Sequence, residues 1–447
     1  MDGKYLSRCM ALCLGTACLL PGVALADQQS DDAVSKKMEA MQAQISALQK
    51  QLDALRQQQA EQKATDAEQS QTTRKNKEQI EELAKARKKD KKASKEGIEF
   101  GGAMRFQYSY ESYNSNNKDR TGDTDFDIFR LNMRGTYKGI DLNAEWRWFQ
   151  YMSAIKYAWI GHHFSDDSQI QLGLTRIPFG NQAFNSHNYF FSSNYYIGLE
   201  DTYHSGVEYV YSGSPWNVQL AFFKNDAMGG VDGYVSDRSN SYSYNVVGVR
   251  GADEGIYDNP QHPAGSTDTA AARVAYTFKP AEDFNWEVGA SALRGNLEGP
   301  SNSIGDYNAW ALHTDVDYKN WNFQAQALRY DYNTDSNATR LAVGAYAFYD
   351  TIAASANGWS LNARYSQPVD WGPIRSLDFY NDYSRIYHKS GGLPMTYMNV
   401  LGVGASAGYL YTYFDFVTGR NQPFIGGSMA GDGKVEHRFN INFGFYF

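Results

Sequence analysis

Most of this chain alternates between apolar and polar residues. The first such segment begins at Phe100, where Phe, Met and Tyr residues alternate with a polar row that includes Arg105 and Gln107. The last segment ends at Phe447, after Phe and Ile residues that alternate with Asn and Arg residues. A period of two is that of a β-strand, whose neighbouring side chains point to opposite faces. Repeated over some 350 residues, the pattern predicts a transmembrane β-barrel with an apolar face toward lipid and a polar face toward the lumen.

The connections between these segments give a second, independent prediction. Links in such a barrel alternate between long outer loops and short inner turns. We predict long outer links at 111–125, 177–204, 225–267, 295–305, 333–339 and 418–433, short outer links at 150–153 and 367–373, and a longer inner link at 389–394. Segment 397–417 is interpreted as one long strand, and 345–356 matches no element clearly. The total is sixteen antiparallel strands, which leave an open lumen, whereas eight would be filled by side chains.

A different period precedes the barrel. Apolar residues spaced alternately by four and three form a coiled-coil seam, and they are Val34, Met38, Met41, Ile45, Leu48, Leu52 and Leu55. Ten Lys and Arg residues follow between 74 and 95, either as a solvated linker or as a contact with anionic lipid or cell wall. We predict an α-helical coiled coil and basic linker over 27–96, in the periplasm. The alternative is a lone amphipathic helix that lies on another domain.

The first residues have the features of an export signal. Lys4 and Arg8 precede an apolar run from 10 to 24, and Ala24-Leu25-Ala26 is a small-x-small cleavage site. We therefore predict a signal peptide over 1–26. All three cysteines of the chain, at positions 9, 13 and 18, lie within it. The mature protein is then exported without a disulfide or a thiol nucleophile.

Composition agrees with a barrel and argues against other classes. The chain has 447 residues with 33 Tyr, 40 Gly and a net charge of −8, and no later run approaches the roughly 20 apolar residues of a spanning helix. The G-x-S-x-G pattern at 404–408 lies in a strand without a following helix, so we predict no enzyme and no catalytic residue. His162 and His163 are adjacent and point to opposite faces, so we predict no metal site. We also predict no cofactor and no nucleic-acid partner.

The parity of the strands assigns side chains to the lumen. Seven arginines are predicted to line the pore, namely Arg105, Arg130, Arg134, Arg147, Arg273, Arg364 and Arg438. The same parity places Asp141, Glu145, Glu208, Glu287, Asp315 and Asp317 inside. Three interpretations stay open: ion pairs that stiffen the wall, an anion track, or a path where arginines and aromatic rings bind neutral hydroxylated solutes.

The link at 177–204 is aromatic and rich in Asn and Ser. We predict that it folds inward and narrows the lumen. The predicted constriction residues are Phe184, His187, Tyr189, Phe190, Tyr195 and Tyr196. Their rings suit either stacking on sugars or packing against the inner wall.

Three features together resemble the phosphate-selective porin O and P family of bacterial outer-membrane porins. They are the coiled coil joined to a barrel, the motif Arg-Ile-Pro-Phe-Gly at 176–180 before a long third loop, and the terminal Phe447. The resemblance spans 97–447. It implies an outer-membrane channel for small anionic or other hydrophilic solutes, lined by arginines.

The sequence therefore predicts a passive outer-membrane porin with the barrel domain at 97–447. Expected partners are outer-membrane lipid and lipopolysaccharide, small hydrophilic solutes such as phosphate, two further copies in a homotrimer, and peptidoglycan. The alternatives are a carbohydrate or neutral-solute porin, and a coiled-coil cell-wall tether that the barrel only anchors.

Overall fold

A closed barrel of sixteen antiparallel strands forms the body of residues 96–447, which are the residues that the computed structural model describes. This confirms the predicted barrel. The predicted signal peptide (1–26) and nearly all of the predicted coiled coil and linker (27–96) lie outside the described residues. The wall strands are β1 (Gly97–Glu111), β2 (Asp123–Tyr137), β3 (Ile140–Trp148), β4 (Ser153–Ser165), β5 (Ser168–Arg176), β6 (Tyr203–Tyr211), β7 (Trp216–Asp226), β10 (Gly265–Ala281), β11 (Phe284–Glu298), β12 (Ser303–Tyr318), β13 (Trp321–Thr334), β16 (Ser355–Trp371), β17 (Ile374–Tyr387), β18 (Thr396–Ala407), β19 (Leu410–Arg420) and β20 (Val435–Tyr446).

Four further strands form a separate small sheet in the order β15-β14-β8-β9. They are β8 (Asn245–Val249), β9 (His262–Pro263), β14 (Arg340–Ala345) and β15 (Phe348–Ala353). One short helix, α1 (Ser115–Asp119), lies between β1 and β2, and 3₁₀ turns occupy Tyr195–Ile197 and Ser390–Gly392. Within residues 96–447, no helix is long and apolar enough to cross a membrane.

Pairing of the first and last strands closes the barrel. Strands β1 and β20 run antiparallel from the pair Ala103 and Tyr446 to the pair Glu111 and Arg438. Beyond this ladder, Gly102 and Phe447 exchange backbone hydrogen bonds of 2.8 and 3.1 Å. Neither terminal strand presents the unpaired edge that would invite aggregation.

The wall has two chemically opposite surfaces, as the alternation predicts. On β16, Leu361 is 55% exposed on the outer surface, while its neighbours Ser360 and Asn362 point inward and are buried. Leu172 on β5 and Leu401 on β18 are also more than half exposed on the outside. An apolar exterior of this extent is expected only where it meets lipid or another protein.

The predicted strand boundaries beyond residue 334 were partly wrong, in two ways that cancel in the count. Segments 340–345 and 348–353 are strands of the small sheet and not of the wall. Segment 397–417 is two wall strands, β18 and β19, that turn at Gly408-Tyr409. The link 388–395 is therefore an outer link, and 372–373 is an inner turn.

Burial explains the first of these two errors. The sequence Arg-Leu-Ala-Val-Gly-Ala of β14 is apolar on both faces, and all of it after Arg340 is buried. Such a strand belongs to a covered sheet and not to a wall with one wet face. Two outer links also differ in length from their predictions. The fifth outer link spans only 299–302, and the third loop spans 177–202, which places His204 in β6.

Adjacent positions on β5 test the two surfaces of the wall. Leu172 is 53% exposed on the outer surface near the middle of the strand, whereas its neighbour Gln171 points inward and donates to Gln169. A cation at the lipid midplane costs about 2–4 kcal/mol. We expect Leu172→Arg to lower the free energy of unfolding by that amount, measured by urea titration in lipid vesicles. Gln171→Arg is the matched control and should change it by less than about 0.5 kcal/mol; equal losses for both would contradict the assigned faces.

Candidate functional site

The third loop (177–202) folds into the barrel and is held there by polar side chains of distant wall strands. Its partners lie on β11, β13, β16, β17 and β19. The bonds are Gly180 N to Ser291 Oγ (2.9 Å), Asn181 N to Gln326 Oε1 (2.8 Å), Asn185 Nδ2 to Ser360 Oγ (2.7 Å), His187 Nδ1 to Asp382 Oδ1 (2.8 Å) and Tyr189 N to Asp415 Oδ2 (3.3 Å). The loop therefore crosses the interior and narrows it.

Two wall carboxylates accept hydrogen bonds from the backbone of the third loop. Asp382 accepts hydrogen bonds from the backbone N–H groups of His187 and Asn188 at 2.7 and 3.0 Å. Asp415 accepts that of Tyr189, and it is completely buried. Because a buried carboxylate needs hydrogen-bond donors to offset its lost hydration, these two acids fix the loop and are covered by it.

A third carboxylate closes the loop on itself. Glu200 accepts hydrogen bonds from the backbone N–H groups of Asn185 (3.0 Å) and Ser192 (3.2 Å), and from Ser192 Oγ at 2.5 Å. Burial raises the pKa of Glu200 to about 7, although these hydrogen bonds favour the ionised form. The two arms of the loop are thus joined through a group that titrates near neutral pH.

Five consecutive wall strands each contribute one basic side chain to the interior. These residues, here called the basic row, are Arg105 on β1, Arg130 on β2, Arg147 on β3, Lys156 on β4 and Arg176 on β5. Neighbouring strands lie about 4.8 Å apart, so the row forms a continuous positively charged stretch of the wall. It faces the third loop, as the ion pairs below show.

Three carboxylates pair with the basic row. The contacts are Arg105 with Asp127 (2.8 Å), Arg130 and Arg147 with Glu145 (3.7 and 2.6 Å), and Lys156 and Arg176 with Asp201 of the third loop (2.7 and 2.9 Å). The carboxylates are the more deeply buried partners. The side chains of Arg105, Arg130 and Arg176 are 17, 26 and 27% exposed, while those of the carboxylates are at most 8% exposed. The charge that remains accessible is therefore positive.

Asp201 is the point where the third loop meets the basic row. It is completely buried and also accepts hydrogen bonds from the hydroxyls of Tyr203 and Tyr242, both at 2.7 Å. Burial alone would raise the pKa of Asp201, but Lys156 and Arg176 lower it to about 2. The carboxylate stays ionised at any physiological pH, so this anchor does not switch.

Aromatic rings cover the other sides of these cations. Arg105 lies 5.2 Å from the ring centre of Tyr189, and Arg147 lies 4.3 Å from that of Tyr242. Lys156 lies within 6 Å of three rings, including that of Phe184. A cation over a ring face is stabilised by the ring quadrupole. These contacts hold the basic side chains in place while leaving part of their charge accessible.

The seven predicted pore-lining arginines occupy different environments. Arg105, Arg130 and Arg147 belong to the basic row. Arg134 pairs with Glu99 where both are well exposed, at the end of the wall where the chain enters β1. Arg273 and Arg438 touch the third loop, through Gly180 O (2.8 Å) and the ring of Phe190 (5.3 Å). Arg364 lies opposite Tyr380 of β17, and within residues 96–447 it is the one of the seven that forms no ion pair.

The six predicted constriction residues also separate into groups. Phe190, Tyr195 and Tyr196 are at most 4% exposed, so their rings are packed against other groups. The Tyr189 hydroxyl donates to Asp127 at 2.9 Å. His187 is held between Asp382 and Asn322. Phe184, 40% exposed, keeps the most accessible of the six rings.

Lys156, Arg176 and Asp201 were not predicted as site residues. For Lys156 the reason is a β-bulge: Tyr157 pairs with Glu145 and Ile155 with Trp146, so Lys156 is the extra residue on β4 and the parity of the strand changes there. A usable signal was present for Lys156, because a lone lysine between Ile155 and Tyr157 in an apolar strand cannot face lipid cheaply.

No group of three or more His, Cys, Asp and Glu residues in the described part of the chain is arranged to hold a metal ion. In the acidic first outer link, Asp123 forms an ion pair with Arg120 at 2.8 Å. Among the aspartates of this link and the start of β2, Asp127 faces inward to Arg105. Each of these two carboxylates is thus bound to an arginine.

No protein-family model matches the chain, and no curated protein matches it. Among solved structures, it is similar to Salmonella typhi OmpF in complex with daunomycin, with 10% identity and a TM-score of 0.52 over 79% of this chain and 99% of that one. It is similar to the outer membrane channel DcaP of Acinetobacter baumannii, with 10% identity and a TM-score of 0.50 over 78% and 97%. These likenesses establish the fold alone. The resemblance to the phosphate-selective porin O and P family stays a prediction.

Glu200 gives the third loop a testable pH dependence. Because the pKa of this carboxyl is raised to about 7 in the folded loop, ionisation costs more there than in an opened loop. The loop should therefore be most stable below the ordinary pKa of a glutamate and should lose stability as the pH rises through 7. We expect the backbone amides of Asn185 and Ser192 to exchange faster at pH 8 than at pH 5, after correction for intrinsic rates.

Glu200→Gln is the matched variant, since it keeps the shape and an accepting oxygen but cannot ionise. Its amides should show the same corrected exchange rate at both pH values. A wild-type loop that is better protected at pH 8 would contradict the assignment.

Proposed function

We propose that this protein is an outer-membrane porin of the bacterial cell that passes small hydrophilic anions by passive diffusion. Phosphate is one candidate solute of this class. The two-faced closed barrel supports the membrane location, since closed barrels and helices are the structures whose backbone groups are all satisfied in lipid. We further propose that three copies assemble, with lipopolysaccharide around them, and that the segment before the barrel lies in the periplasm.

The observation that carries the preference for anions is the unequal exposure of the paired charges in the basic row. Arg105, Arg130 and Arg176 remain partly accessible, while their carboxylate partners are nearly covered. A solute in the lumen thus meets guanidinium groups, which bind carboxylate and phosphate oxygens through paired N–H donors.

The proposed mechanism needs no energy source. The third loop narrows the lumen, so a passing solute comes close to the basic row. A positive wall in a narrow, low-dielectric surround raises the local anion concentration and excludes cations. Partial pairing with Asp127, Glu145 and Asp201 keeps the attraction weak enough for the solute to leave again.

Two alternatives fit these contacts less well. A path for neutral sugars would use exposed rings, but three of the six predicted rings are buried. A barrel that only anchors a cell-wall tether has no need of a basic row across five strands. Deletion of 27–95 distinguishes the tether, because a porin lacking this segment should still conduct in a planar bilayer.

The reversal potential in a salt gradient tests the proposal. We expect the full-length protein to be anion-selective. The double variant Arg105→Ala/Arg130→Ala should lower the anion-to-cation permeability ratio about fivefold or more, since one unit charge at 4 Å is worth about 1 kcal/mol even in bulk water. Arg375→Ala is the control, because Arg375 is 65% exposed in β17 next to an inner turn and pairs with the exposed Asp370.

The outcomes separate the two parts of the proposal. Absence of any conductance in the wild type would overturn the porin function. A cation-selective potential that the double variant leaves unchanged would overturn the anion preference and leave the porin function standing.

A further inference from the structure

The hairpin β14–β15 does not belong to the barrel wall, and its tip lies far from the wall strands β13 and β16 that it connects. It leaves the wall after β13 and returns at β16. Its two-residue turn is Tyr346-Ala347, whose φ angles of 54° and 58° are left-handed, as the tight hairpin turn with the matching twist requires. A tyrosine is uncommon in this backbone conformation. We therefore expect contacts of the Tyr346 side chain to stabilise the turn.

The tip of the hairpin contacts the opposite rim of the barrel. The ring of Tyr346 packs edge-to-face against that of Phe149, with 5.5 Å between ring centres. Phe149 lies in the short outer link between β3 and β4, where its N–H donates to Met152 O at 2.9 Å and closes the turn. In the order of the wall, the gap between β3 and β4 is eight strands from the gap between β13 and β16 in either direction. The hairpin therefore spans the outer mouth along a diameter.

Contacts along its length fix this hairpin. β14 pairs with β8 of the long outer link between β7 and β10. At the tip, Tyr346 N and Ala347 N donate to Ser241 O and Ser239 O at 2.9 and 3.0 Å. The hydroxyl of Tyr346 lies 2.5 Å from that of Tyr195 in the third loop.

The hairpin is also bound from the side by the last outer link. Asp350 on β15 is completely buried, and it accepts hydrogen bonds from Ser428 Oγ and from Met429 N (3.0 Å). Lys389 donates to Met429 O at 2.5 Å from the outer link between β17 and β18. Three outer links and the third loop thus contact the hairpin directly, and the link between β17 and β18 is joined to it through Met429.

We propose that the hairpin β14–β15 is a fixed crossbar that sets the upper size of solutes entering the pore, with Tyr346 as its size-determining residue. The inference rests on the porin function proposed above. The rings around the tip are uncharged tyrosines and phenylalanines, Tyr195, Tyr242, Tyr244, Phe149 and Phe424. The crossbar thus excludes solutes by size, whereas the basic row acts on charge.

Single-channel recording with polyethylene glycols of graded size tests this inference. Tyr346→Ala removes the ring that reaches the far rim, so the smallest excluded polymer should become larger and the conductance should rise. Tyr346→Phe keeps the ring and loses only the contact with the Tyr195 hydroxyl, so its size limit should equal that of the wild type. The anion selectivity should be the same in all three proteins, because no charge has changed.

A covalent bridge across the mouth tests the geometry independently. In a chain with Cys9, Cys13 and Cys18 replaced by alanine, a short bifunctional maleimide should link Phe149→Cys to Tyr346→Cys. The linked protein should conduct as the same double-cysteine variant does before linking, since a fixed bar does not move during passage. Phe149→Cys combined with Tyr234→Cys is the control, because Tyr234 is fully exposed in the link between β7 and β10, and it should not be linked.

Each outcome bears on a different claim. If the wild type conducts and Tyr346→Ala has the same size limit, the crossbar proposal alone fails. If linking abolishes the current, or if conductance appears only in Tyr346→Ala, the hairpin is a gate or a plug and not a fixed size filter. If neither protein conducts, the porin function fails and the size filter fails with it.

Discussion

The constraint on which the structure depends is that every backbone N–H and C=O group of the wall must find a partner where water is absent. The ladder between β1 and β20 completes this pairing, since it joins the first and last strands and leaves no free edge. Once the wall is closed, the period of two in the sequence separates an outer apolar surface from an inner polar one. The lumen, the loops that enter it and the charges that line it all follow from this separation.

Closure also creates a second problem, because the lumen of a sixteen-stranded barrel is too wide for the side chains of the wall to fill. Buried carboxylates solve it by binding loop backbone. Asp382 and Asp415 hold the third loop across the interior, and Asp350 holds the hairpin β14–β15 across the mouth. From the sequence alone, these three aspartates would be expected to attract cations, but the loop backbone that they bind covers them. The barrel can be acidic overall and still present positive charge at its narrow part.

The sequence predicted what depends on local periodicity. The two faces of the wall and the inward course of the third loop could be predicted from alternation and link length. The number of wall strands was also predicted correctly, but two errors in the strand boundaries cancelled in that count. The position of the β14–β15 hairpin could not be predicted, because the apolar run from Leu341 to Ala345 indicates a covered strand but does not say which strands it pairs with. The turn at Gly408-Tyr409 has a single glycine as its signal, so β18 and β19 appeared as one strand.

The site was less predictable for a related reason. Strand parity identifies the inward arginines, but it does not say which of them a carboxylate or a loop will cover. Arg105 and Arg438 have the same pattern in sequence, yet one joins the basic row and the other packs on Phe190 of the third loop. Asp201 lies in an irregular loop, where no period assigns a direction to its side chain. Such contacts depend on residues far apart in the chain.

Spin labels placed one at a time along β2, from Phe129 to Arg134, test the central claim most directly. In lipid vesicles, labels at 129, 131 and 133 should be relaxed by oxygen dissolved in the bilayer. Labels at 130, 132 and 134 should be relaxed by a water-soluble nickel chelate. Accessibility that does not alternate along these six positions would contradict a two-faced wall around a wet lumen.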